Sequence, residues 1–420
     1  MPEPTYWLTR FFFLRLLGLV YTVAFLLILW QWEPLSFVNT GQIFYGYGWE
    51  MLLLETGFLA VFLAPLGRPG PFPRTTPPSP VVIALLRWLL FRLMLGAGLI
   101  KLRGDPCWRD LTCLFFHYET QPNPNPLSWY LHQLPPWVHR LEVLFNHVVE
   151  LLAPFFVFGP RRARHVAGGL IVLFQVLLIL SGNLSFLNWL TIAIAVACFD
   201  DGVLGRLVPA ALRARLERRV AGAEETRARG LAGYALAAVV ALLSVNPVAN
   251  MLSPGQVMNT SFDPFGLVNT YGAFGSVGRE RYEIVLEGSD ASDPAAADDW
   301  RPYEFKCKPG NPSRRPCWIS PYHYRLDWQM WFAAMPGAGV EPWLLRLVAK
   351  LLEGEPAVRG LLAPGPFEEH PPRWIRARYY RYAFTRWGDG PAWWRRTLVG
   401  EYLPPLSRED LAGYGGPPSD

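Results

Sequence analysis

The stretch FNHVVELLAPFFVF places Asn146, His147 and Glu150 within one turn of a helix, at spacings of three and four that put all three on one face. Its other residues are apolar enough for a membrane span, and in lipid a polar face must turn inward. Burying an ionisable group without a partner costs several kcal/mol, so such groups are functional candidates by default. The alternative is that Glu150 pairs with an Arg of a neighbouring loop. Lys101 ends a second apolar run, GAGLIKLRGDPCWRD, in which Gly96 and Gly98 permit close backbone approach. Its amine either snorkels to the interface or, partly desolvated, serves as a proton-abstracting base. His147 and Glu150 are donor types for half a metal site, but His117, His132 and His139 stand at no recognised ligand spacing. No metal is expected.

Between these two runs lies HYETQPNPNPLSWYLHQLPPWVHR, where Pro122, Pro124 and Pro126 force extended backbone. A connector so dense in His, Tyr, Trp and Asn either lines a cavity or binds a partner, or else caps the membrane interface. The candidate binding residues are Arg103, Asp105, Trp108, Arg109, His117, Tyr118, Glu119, Gln121, Trp129 and His132 from this region, with Asn146, Asn183 and Asn188 from the apolar runs.

These side chains need a bilayer to position them. The 420 residues are 51% hydrophobic and only 17% charged, against roughly 25% in soluble domains. A crossing helix needs about 20 apolar residues, and seven segments approach that: Phe11 to Trp30, Trp49 to Leu66, Val81 to Ile100, Leu141 to Phe158, Val166 to Leu180, Leu184 to Phe199 and Leu231 to Val248. The fifth and sixth flank SGNLSFLN and form either two spans or one re-entrant hairpin, so five to seven spans are expected. The net charge of +5 sits mostly in Arg-rich loops that set orientation, which excludes nucleic acid as the expected partner. With seven spans the loops holding Arg10 and Arg15, Arg161 to Arg164, and Arg206 to Arg229 share the cytoplasmic face. Residues 101–140 and everything after Asn250 then lie on the other side. Trp30 and Trp32 suit an interfacial belt, and the first run lacks a small-residue cleavage pattern, so it is read as retained.

After Asn250 the pattern becomes that of an α+β extracytoplasmic domain over 251–405. Arg281 to Gly288 and Arg373 to Phe384 alternate as strands, and Pro342 to Leu352 has helical spacing. Ser289 to Ala297 is expected as an exposed loop, and 406–420 as a disordered tail. Cys107, Cys113, Cys307 and Cys317 fall on the oxidising side, and Cys198 falls in a span. Cys307 and Cys317 are spaced for a loop-closing disulfide or remain free, and no CxxC exchange motif is present. Arg, Pro and Ala bias points to a GC-rich, bacterial source.

Taken together, YGYGWE (Tyr45 to Glu50), Lys101 to Pro135, FNHVVELLAPFFVFGPRR (Phe145 to Arg162), ILSGNLSFLNWLTI (Ile179 to Ile192), Asn269 to Gly288 and Tyr303 to Ala334 closely resemble the lipase maturation factor family. The resemblance covers nearly the whole chain. It implies an endoplasmic-reticulum membrane protein, in animals, that helps dimeric secreted lipases fold and assemble, with its soluble part lumenal. The chain ends without an ER-retention signal, so a bacterial member would sit in the plasma membrane. More remotely, the bundle resembles the transmembrane domain of vitamin K-dependent γ-carboxylases, where a lysine matching Lys101 acts as base on a quinol.

The expected function is therefore a membrane-anchored, non-catalytic maturation factor without cofactor, whose partners are membrane lipid and a secreted client, lipase-like by resemblance. The alternative is a membrane enzyme holding a quinone or lipid-like molecule, with Lys101, His147 and Glu150 as its catalytic set. Transport is disfavoured, since no inverted repeat is visible.

Overall fold

A computed structural model describes residues 5–65, 72–223 and 225–414. The first 250 residues are helical because their apolar runs lack β-branched alternation and turn residues. They comprise α1 (Trp7–Ser36), α2 (Gly48–Leu63), α3 (Pro80–Arg103), three short helices α4 (Pro106–Arg109), α5 (Leu114–Thr120) and α6 (Pro126–His132), then α7 (Pro136–His147). A π turn at Val148–Leu152 leads into α8 (Ala153–Phe156), followed by the hairpin of α9 (Arg161–Ser181) and α10 (Leu187–Ala195). A last long helix spans Arg227–Leu252.

Among the described residues, four helices are long and apolar enough to cross a bilayer: α1, α3, α9 and Arg227–Leu252. Of the five to seven spans expected, these four have full crossing length, and three shorter apolar segments lie between them. α2 has 16 residues, and Leu187–Cys198 is shorter still. The α7–α8 segment is broken where Pro154, having no N–H for the Glu150 carbonyl, follows a widened turn.

Two adjacent aspartates gather one end of the bundle. The Asp201 carboxylate accepts the Trp7 and Leu8 backbone N–H groups at 3.0 and 2.7 Å. Asp200 accepts from Arg161 and His165 at the start of α9, and Arg87 of α3 donates to the Ala197 carbonyl. The starts of α1, α3 and α9 thus lie together, and the intervening segments return to them.

At the opposite end sits the β-rich domain. β1 (Thr260–Ser261) pairs with β2 (Asn269–Thr270); the main antiparallel sheet has the order β4 (Arg301–Pro302), β3 (Arg281–Ser289), β5 (Trp374–Phe384), β6 (Trp394–Leu406). Alternation along β5 buries Ile375 and Ala377 against Leu344, Leu347, Val348 and Leu351 of the amphipathic helix Pro342–Glu353. Leu35 at the end of α1, and Val38 and Phe44 from the connection after it, are fully buried in this same core, while Trp328 belongs to the bundle core. The two halves therefore interlock. Beyond β6, Leu411 is buried in the domain core, because a turn closed by Asp410 on Ser407 folds it back. Residues 415–420 lie outside the described residues.

Candidate functional site

α3 and the π turn bring together what sequence left 49 residues apart. Lys101 Nζ donates to both Glu150 oxygens at 2.6 Å and to Asn146 Oδ1 at 3.0 Å. Asn146 Nδ2 in turn donates to Glu150 Oε2 at 2.9 Å. Gly98 allows the approach, since a Cβ there would stand 2.7 Å from Leu151 and 3.0 Å from the Glu150 Cβ. Lysine has three donors, and all three are committed inside the cluster. The Lys101 ammonium also lies 5.0 Å from the centre of the Trp108 ring. His147 does not join them. Its Nε2 meets the Trp108 carbonyl at 2.9 Å, because the wider π turn changes the angular offset that regular helical spacing implies.

This cluster edges a cavity of about 640 Å³ that also touches His117, Tyr118, Gln175, Asn188, Trp49 and Trp331. Of the remaining expected binding residues, most hold the connector to its surroundings. Arg103 donates to Gln256, and Asp105 accepts from Arg279 and caps α4. The Trp108 indole donates to the Phe274 carbonyl. Glu119 accepts the Phe384 N–H and lies 3.7 Å from His132. Gln121 donates to the Ser181 carbonyl and Trp129 to Thr385. Asn183, in the α9–α10 turn, donates to the Cys317 carbonyl and accepts from Ile319. Arg109 is exposed. No group of His, Cys, Asp or Glu that could hold a metal ion occurs among the described residues.

Sequence reasoning missed two buried ionic networks. Glu55 pairs with Arg92 inside the bundle and accepts from Asn269 and the Tyr271 hydroxyl; both charges interrupt apolar runs, which was the available signal. In the domain, Glu283 lies between Arg281 (2.6 Å) and Lys308 (2.7 Å), all three at most 2% exposed. Arg281 also donates to the carbonyls of Glu119, Gln121 and Pro122. Positions 281 and 283 share a strand face, so their proximity was legible, but the connector they grip was not.

Residues 27–206 match the lipase maturation factor transmembrane domain, and residues 267–404 the lipase maturation factor C-terminal domain. Lipase maturation factor 1 of Bos taurus is 55% identical over 398 residues, covering 90% of this chain and 71% of that protein. The Homo sapiens protein of the same name is 53% identical, covering 90% and 70%. Lipase maturation factor 2 of Rattus norvegicus is 33% identical, covering 91% and 69%. The chain belongs to the lipase maturation factor family.

No solved structure matches this lipase maturation factor. Vertebrate relatives at 53–55% identity overturn the bacterial assignment drawn from Arg, Pro and Ala usage, because codon-driven composition varies among genomes of every kind. Among the described residues the chain carries two disulfides. Cys307–Cys317 closes the expected loop, and Cys107–Cys113, not singled out from sequence, closes a tighter one around Trp108. Replacing both Cys307 and Cys317 by Ser is expected to cost about 2–3 kcal/mol through the freed unfolded chain, read as a lower thermal midpoint in detergent.

His117 in the connector is buried. Desolvation, then the nearby Lys101 charge, pushes His117 from its ordinary 6.5 to about 4; its ring packs edge-on against Phe274 at 4.9 Å. A depressed pKa gives stability that is fully present above 6.5 and lost as pH falls through the window from 6.5 to about 4, a span worth about 3 kcal/mol. His117→Gln should therefore flatten the decline of thermal stability across that window. Equal slopes in wild type and variant would contradict the burial of a neutral imidazole.

Proposed function

We propose that this chain promotes the maturation of secreted lipases, the role its relatives' names give them. The observation that carries the reading is identity of 53–55% with lipase maturation factor 1 across 90% of the chain. In this reading the protein is non-catalytic, resides in the endoplasmic-reticulum membrane, and presents the connector and the C-terminal domain to the lumen. Two disulfides at that end support an oxidising side, and Arg-rich helix starts at the other end support a cytoplasmic one.

The connector and domain act as one surface that holds a partly folded client. Support comes from exposed Trp318, Phe332 and Trp387, and from the edge strand β6, where Leu398 and Val399 face outward with one row of backbone groups open to a further strand. The test is co-expression of a secreted lipase in cells lacking this factor, with the full chain restored. Lipase activity per unit of lipase protein in the medium is expected to rise, and crosslinking to recover the lipase. No change in specific activity and no recovered client would overturn the reading. Reporter fusions after Asp201 and after Met251 are expected in opposite compartments.

A further inference from the structure

The cavity beside Lys101 has a volume of about 640 Å³, within the roughly 300–1,000 Å³ of small-molecule sites. Its walls are largely aliphatic and aromatic, including Leu93, Ala97, Phe145, Phe174 and Leu187. Tyr130, Leu177 and Leu180 line it yet are exposed, and the two leucines belong to α9, a helix of bilayer-spanning length. The cavity therefore has an apolar mouth on a lipid-facing flank.

Inside, Asn188 is 1% exposed. Its Nδ2 donates to Gln175 Oε1 at 2.7 Å, and its Oδ1 has no partner. Exchanging N and O in both amides still leaves a buried polar atom unmatched. An orphan acceptor of this kind costs about 1–3 kcal/mol, which a donor from a bound molecule relieves. Lys101 is already paired with Glu150, and Glu142 is hydrogen-bonded to His139. An anionic head would find no free counter-charge there.

We propose that this cavity binds a single-chain lipid with an uncharged, hydroxyl-bearing head. The chain enters between Tyr130, Leu177 and Leu180, and the hydroxyl donates to Asn188. Phe332 of the client-binding surface lines the same cavity, but the site rests on Asn188 and the α9 mouth and not on that reading.

The experiment uses the full chain in lipid nanodiscs and a long-chain monoacylglycerol carrying a diazirine in mid-chain, with photolabelled positions mapped by mass spectrometry. Label is expected on residues 174–191 and to be competed by unlabelled monoacylglycerol. Leu177→Trp, a change at the exposed mouth that leaves the core intact, should close the entrance and cut labelling. Asn188→Leu should weaken it by about tenfold, the value of one lost hydrogen bond. The matching fatty-acid probe should label less. Label spread over outward helix faces and unchanged by Leu177→Trp would overturn the site, even if Asn188→Leu fails to fold. Equal labelling by the fatty acid would overturn the uncharged head.

Discussion

Lys101→Ala is expected to destabilise the protein by about 3–5 kcal/mol, because it strands the Glu150 carboxylate in a site where each partner's side chain is 5% exposed. Asn146 alone cannot compensate, since its amide offers one bond where the ammonium offers two. Replacing the pair together, Lys101→Met with Glu150→Leu, should recover most of that loss, as buried ion pairs are commonly matched by well-packed apolar residues. Thermal unfolding of the purified chain in detergent reads both effects. The double variant also separates two roles. If the pair only fastens α3 to the π turn, lipase maturation in cells returns with stability; if the lysine performs chemistry, the refolded double variant stays inactive. A single Lys101→Ala variant as stable as wild type would show that the cluster does not hold the bundle.

Glu283→Ala is the second large effect. It leaves Arg281 and Lys308, both buried, without their shared carboxylate, for a loss of about 3–5 kcal/mol. The damage should spread beyond the sheet. Arg281 holds the carbonyls of Glu119 and Pro122 at 3.0 and 2.9 Å as well as that of Gln121, so a displaced guanidinium frees the connector. Limited proteolysis is expected to cut within residues 119–126 much faster than in wild type, before the domain core opens. Unchanged cleavage there, with the domain destabilised, would break the link between sheet and connector. Glu283→Gln should be milder, since its amide oxygen still accepts from one cation.

How far the sequence led depended on the range of each interaction. β3, β5 and the helix Pro342–Glu353 lie where periodicity placed them, because alternation and 3.6-residue spacing are local properties. Strand β6 escaped notice: WRRTLVGEYLPPL contains two prolines and shows no clean alternation, and its pairing with β5 is interrupted by register shifts. The helix Arg325–Ala333 escaped for a similar reason, being buried around most of its surface and so lacking an apolar stripe.

The same division runs through the candidate site. Sequence alone determined that Asn146 and Glu150 share a helix face, that Lys101 ends an apolar helix, and which family the motifs resemble, since all of these are written in near neighbours. Tertiary structure decided that Lys101 closes on Glu150, that His147 turns to Trp108 instead, and that Arg281 clasps the connector about 160 residues away. It also placed Leu35 and Phe44 in the core of the distant domain. Spacing along the chain fixes which residues face the same way; which surfaces then meet is set by packing between elements, and near-neighbour spacing carries no record of that.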